Sequence, residues 1–161
     1  MAEHAADLPQ ATEVPDRGGS FLFEPVGART FVAPERFSEQ QRQFFRTGAE
    51  FTRAEVIGKR ERFVEHDYAA LRELLAKAGE LGLLGVDIGE EFSGLGLDKV
   101  TSCIVSENLA QGNASFSVSY GGHVGIGTLP IVFFGTEAQK RKYLPGLATG
   151  RLLACYALTE P

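Results

Sequence analysis

Thr136-Glu137-Ala138-Gln139-Lys140-Arg141-Lys142-Tyr143-Leu144-Pro145, then Gly150 and Leu152-Leu153-Ala154-Cys155-Tyr156-Ala157-Leu158, is the stretch in which the chain changes character. Thr136 followed three residues later by Gln139 forms a capping box, which predicts the start of an amphipathic, basic helix. Beyond Gly150 the residues from Leu152 to Leu158 are apolar and bounded by turn formers, which reads as a short buried strand. Upstream of that point every periodic segment is helical. The pattern therefore predicts an all-α domain giving way to β structure.

Working back from Thr136, Leu129 to Phe134 predicts a short apolar helix with Pro130 in its first turn and Gly135 at its end. Gly121-Gly122 and Gly125-Ile126-Gly127 read as two tight segments before it. Asn113 is placed to cap a helix through Phe116, Val118 and Tyr120. Asp98 is placed to cap another that buries Val100, Ile104, Val105 and Leu109. Gly89 to Gly96 forms a glycine-rich loop, preceded by the apolar run Leu83-Leu84-Gly85-Val86. Asp67 caps the clearest helix, with Leu71, Leu74, Leu75 and Ala78 at i, i+3, i+4 and i+7 and an end at Gly79 or Gly82. Ser38 with Gln41 gives a second capping box, opening a helix from Glu39 to Arg60 with Phe44, Gly48, Phe51 and Glu55 on one side.

The predicted organisation has three parts. Residues 1–37, with Pro9, Pro15, Pro25, Gly18, Gly19 and Gly27, form an extended arm. Its apolar patch Phe21-Leu22-Phe23 suggests docking. Residues 38–150 form an orthogonal helical bundle, and 151–161 the first strand of a β domain. A lone strand needs partner strands, so the chain is expected to be a fragment or to pair with another chain.

Composition narrows the function. The 161 residues are 43% hydrophobic and 23% charged, as in ordinary globular proteins. A net charge of −5 with interspersed signs argues against a nucleic-acid partner. No apolar run approaches the roughly 20 residues of a transmembrane segment. The N-terminus lacks a secretory signal's apolar region and is too acidic for a transit peptide, which predicts a cytoplasmic protein. Cys103 and Cys155 lie far apart without metal-ligand spacing and read as reduced, packed thiols; no metal site is expected.

Taken together, the helix ending at Gly135, the run Thr136 to Pro145, the Gly150 turn and Tyr156-Ala157-Leu158-Thr159-Glu160-Pro161 resemble the acyl-CoA dehydrogenase family. The likeness extends over residues 38 to 161 and includes the loop Glu91-Phe92-Ser93-Gly94-Leu95-Gly96 between the second and third helices. Family members have an N-terminal α domain, a middle β domain and a C-terminal helical domain, with FAD between the last two. The segment Gly18-Gly19-Ser20-Phe21-Leu22 and Tyr120-Gly121-Gly122-His123 are similar to bacterial long-chain members. The resemblance implies α,β-dehydrogenation of an acyl-CoA substrate, electron-transfer flavoprotein as acceptor and a homo-oligomer for the full-length protein.

By the same resemblance, Tyr156, Leu158 and Thr159 lie along the FAD. Val118, Ser119, Gly121 and Gly122 line the acyl channel, where glycines leave room for a long chain; alternatively the glycine pair merely breaks a helix. The family's base is a glutamate of the C-terminal domain, so no catalytic residue is assigned and the chain alone is expected to be inactive. An acyl-CoA oxidase fragment and a non-catalytic helical module are the alternative readings. Glu90 and Glu91 read as a solvated loop, Lys140-Arg141-Lys142 as a solvated helix face, and His123 as a packed or capping side chain. Gly89 to Gly96 lacks the spacing of a phosphate loop.

Overall fold

The computed structural model describes residues 36–160. The arm expected over 1–37, with Phe21-Leu22-Phe23, lies through residue 35 outside the described residues. Seven α-helices carry the unit that begins at Ser38: α1 (Glu39–Phe51), α2 (Arg60–Val64), α3 (Tyr68–Glu80), α4 (Lys99–Ala110), α5 (Ala114–Gly121), α6 (Leu129–Phe134) and α7 (Glu137–Ala148). Among the described residues there is no strand, so this is an all-α fold.

The helix starts are where the sequence places them. Ser38 Oγ accepts from Gln41 N–H at 3.1 Å and Gln41 Oε1 from Ser38 N–H at 2.9 Å. Thr136 and Gln139 repeat that box at α7. Asp67, Asp98 and Asn113 accept from the N–H groups of Ala70, Thr101 and Phe116 at 2.9, 2.8 and 3.0 Å. Each satisfies a backbone donor that the first helical turn leaves unpaired. Gln41 Nε2 also donates to Asp98 Oδ2 at 3.1 Å, tying the starts of α1 and α4 together.

Two π-helical turns depart from the expectation. The helix predicted from Glu39 to Arg60 instead changes winding: α1 stops at Phe51, Thr52–Val56 is a π turn, Ile57–Lys59 a 3-10 turn, and α2 follows. Wider i→i+5 winding turns Phe51 and Val56, five residues apart, toward the same core. The second is Gly122–Gly127, which continues α5 without a break. Gly121 and Gly122 have ordinary right-handed helical angles, so the glycine pair does not end the helix.

A first core gathers Phe51, Val56, Phe63, Leu74, Leu75, Leu109, Phe116 and Tyr120, among others. Phe116 stands 6.0 Å from Phe51 and 6.3 Å from Phe63, ring centre to ring centre. The Tyr120 hydroxyl donates to the Leu83 carbonyl at 2.9 Å, which pays for burying it. Val100, expected inside, is only half-buried. A second, smaller core packs Ile88, Phe92, Leu144, Leu147 and Ala148, with Leu152 and Ala154 against it. On the surface Lys59 and Lys77 share Glu55 and Glu73; hydrogen bonds from Lys77 and Lys59 hold the Glu55 carboxyl below its usual pKa. Exposed pairs of this kind add little stability.

The glycine-rich loop folds back on itself. N–H groups of Gly94, Leu95, Gly96 and Leu97 donate to the carbonyls of Gly89, Gly85, Ile88 and Val86. A Cβ on Gly94 would run into the Ile88 backbone. With its amides committed to its own carbonyls, the loop cannot cradle a phosphate.

Candidate functional site

After α7 the chain is held at two points. Leu152 N–H donates to the Gly146 carbonyl at 2.9 Å. Ala154 N–H donates to His123 Nδ1 at 3.0 Å. Leu152 and Ala154 are half-buried, and every residue from Cys155 to Glu160 is exposed. The buried strand expected over Leu152 to Leu158 does not form: the segment has no ladder partner among the described residues, and Tyr156 and Leu158 are 58% and 71% exposed. A strand is defined by its neighbour, and apolar composition alone does not supply one.

What this open segment offers is a donor set. From Cys155 to Glu160 no backbone N–H bonds to another described residue. The amides of Tyr156 to Thr159 and the Thr159 hydroxyl can therefore meet the acceptor edge of a planar ring, beside the side chains of Tyr156 and Leu158. Cys155 sits in the same segment. It and Cys103 are unpaired thiols, but both are exposed and not packed as expected. Cys103 lies on the outer side of α4, whose inner side is filled by Thr101, Ile104 and Val105.

The residues expected to line an acyl channel share one helix. Val118 is 75% exposed on α5. The Ser119 hydroxyl donates to the Ser115 carbonyl at 2.9 Å, so it is spent on its own helix. Ser119 also lines a cavity of about 140 Å³ with Phe63, Tyr68 and Leu71. A Cβ built on Gly121, Gly122 or Gly125 would meet nothing within 4 Å. These glycines border open space, and Val118 and Ile126 stand exposed along the same run of helix.

His123 joins the two groups. Its side chain is 1% exposed, as the packed reading anticipates. Nδ1 accepts the Ala154 N–H, and Nε2 lies 3.0 Å from the Leu147 carbonyl oxygen. An amide N–H can only donate, so Nδ1 carries no proton. Nε2 must then hold it and donate to Leu147. Burial lowers the imidazole pKa, against the smaller opposing effect of the Leu147 hydrogen bond. Four residues on, a Cβ on Gly127 would lie 2.6 Å from Ala154 Cβ, so the π turn presses directly on the segment. The sequence carried no cue to this role beyond one histidine in a glycine-rich stretch.

Other residues stay apart from this site. Glu90 and Glu91 are exposed in a 3-10 turn. Arg141 pairs with Glu137 and lies over the Phe92 ring at 5.8 Å. No group of three or more potential metal ligands occurs among the described residues, and no helix among them is long and apolar enough to cross a membrane.

The family model described as "Acyl-CoA dehydrogenase, N-terminal domain" matches residues 38–151. The chain belongs to the acyl-CoA dehydrogenase family. A "Probable acyl-CoA dehydrogenase" of Bacillus subtilis (strain 168) is 47% identical over 161 residues, all of this chain and 26% of the relative. The "Very long-chain specific acyl-CoA dehydrogenase, mitochondrial" of Mus musculus is 34% identical over 152 residues, covering 89% of this chain and 22% of its own length. Among solved structures, "Acyl-CoA Dehydrogenase complexed with FAD from Bacillus anthracis" superposes with a TM-score of 0.77 at 48% identity, over 81% of this chain and 22% of that one. The chain thus spans about a quarter of the length of the curated relatives it matches. Within the family's N-terminal domain, α5 with its π turn and the segment after α7 are the elements that bring the two candidate groups to one place.

Proposed function

We propose that this chain forms the N-terminal helical part of an FAD-dependent acyl-CoA dehydrogenase acting on long-chain fatty acyl-CoA in β-oxidation. The observation that carries this reading is the open segment Tyr156 to Thr159, whose amides and Thr159 hydroxyl are free to bond and which is rooted beside a glycine-lined helix. FAD, when bound, supplies the acceptor for the hydride leaving the acyl β carbon. Thr159 and the neighbouring amides orient the ring by its pyrimidine edge, and Tyr156 and Leu158 shield it from water. Val118, Ser119, Gly121 and Gly122 form a wall of the acyl channel. Side-chain-free positions at Gly121 and Gly122 leave depth for a long chain.

No residue here is assigned as the base that removes the α proton, and the 161-residue chain alone is expected to be inactive. Electron-transfer flavoprotein is the proposed acceptor, the intact protein a homo-oligomer, and its location cytoplasmic. The test is anaerobic mixing of the intact protein with saturated acyl-CoA esters of increasing length. Bleaching of the flavin band that is fastest with long esters, followed by slow reoxidation in air and fast reoxidation by electron-transfer flavoprotein, is the expected result. Fast reoxidation in air would make the protein an oxidase, and absence of a flavin band would overturn the reading.

A further inference from the structure

His123 is buried, uncharged and bonded at both ring nitrogens, and the proposed reaction gives it no task. Its position is specific. The bond from Ala154 N–H to Nδ1 is the last that the backbone after α7 makes with another described residue. Tyr156 begins the exposed stretch two residues later. The opposite ring nitrogen grips Leu147, in the last turn of α7. The ring itself belongs to the π turn that continues from Gly121 and Gly122.

We propose that His123 is a positioning residue whose Nδ1 fixes the root of the segment Tyr156 to Thr159, registering it against the helix that carries Gly121 and Gly122. This rests on the reading that the segment meets FAD. Two features support a directional role over plain core filling. The Ala154 N–H dictates the tautomer, so the imidazole accepts on one side and donates on the other and cannot turn over without losing both bonds. Gly127 admits no Cβ against Ala154, so the segment also has no room to slide along the π turn.

The two hydrogen bonds can be separated by substitution in the intact, FAD-loaded protein. His123→Asn places an amide oxygen near the Nδ1 position, keeping the acceptor for Ala154 and losing the donor to Leu147. His123→Gln reaches the Nε2 position, keeping the donor to Leu147 and losing the acceptor for Ala154. Each variant forfeits one buried hydrogen bond, so a purely structural role lowers Tm and FAD affinity alike in both. The positioning role predicts asymmetry. His123→Gln is expected to bind FAD about tenfold more weakly, with a shifted flavin absorption band, while His123→Asn stays within about threefold of wild type.

Residue-level hydrogen exchange on the wild-type protein gives a reading independent of both variants: the Ala154 amide should exchange slowly even without FAD. Equal FAD affinities and unshifted bands in the two variants would overturn the proposal and leave the flavin reading standing, as would an Ala154 amide exchanging at the free-chain rate. A wild-type protein that takes up no FAD would overturn both.

Discussion

Burial keeps the His123 imidazole neutral by penalising its charged form, so its pKa in the folded chain lies below the ordinary value of about 6.5. The unfolded chain then binds the proton more readily than the folded one. Stability from this residue is complete above about pH 6.5 and is lost as pH falls through the folded pKa. Asp67 and Asp98, also held below their usual values, chiefly by the Ala70 and Thr101 N–H groups, act in the same direction but in the carboxylate range. Urea midpoints should therefore fall between about pH 7 and about pH 5.5, with a smaller fall in His123→Asn. A second residue-scale prediction concerns Tyr120, whose phenol is pushed upward in pKa by burial. Tyr120→Phe leaves the Leu83 carbonyl without this donor and should cost about 1–2 kcal/mol in chemical denaturation. The residue types of both sites were visible in the sequence, but the partners of His123 were not, since Leu147 and Ala154 lie 24 and 31 positions away.

Caps and π turns differ in how far they can be read from sequence. A cap is chemistry within four residues, so Ser38, Asp67, Asp98, Asn113 and Thr136 could be assigned from local spacing alone. Asp98→Ala removes both the Thr101 cap and the acceptor for Gln41, and a loss of about 1–2 kcal/mol is expected from the thermal midpoint. The π turn at Thr52–Val56 depends on what packs against it. A Cβ on Gly112 would lie 2.7 Å from Thr52 Cγ2 and 2.9 Å from Val56 Cγ1. Gly112→Ala should therefore overpack this contact and cost about 1–3 kcal/mol. Nothing near Thr52 in the chain announces that contact. For the same reason the second π turn read as two glycine-rich breaks, and the segment after Gly150 read as a buried strand.

For the molecule as a whole, the side-chain-free stretch at Gly121 and Gly122 and the open segment at Tyr156 to Thr159 are useful only together. Gly122→Glu places a charged side chain into the space the glycine leaves, without meeting an atom within 4 Å in this chain. In the intact protein the expected outcome is unchanged Tm with activity shifted toward shorter acyl-CoA esters; undiminished turnover of long esters would remove Gly122 from the channel. The sequence by itself determined the all-α class, the helix starts and the family, because periodicity, caps and a run of motifs in fixed order are properties of neighbouring residues. Only the tertiary structure decided where helices change to π winding, that the residues after Gly150 stand open, and that one neutral histidine ties them to the glycine-lined helix. Those features arise from contacts between residues distant in the chain, and short-range patterns carry no record of which distant backbone will arrive.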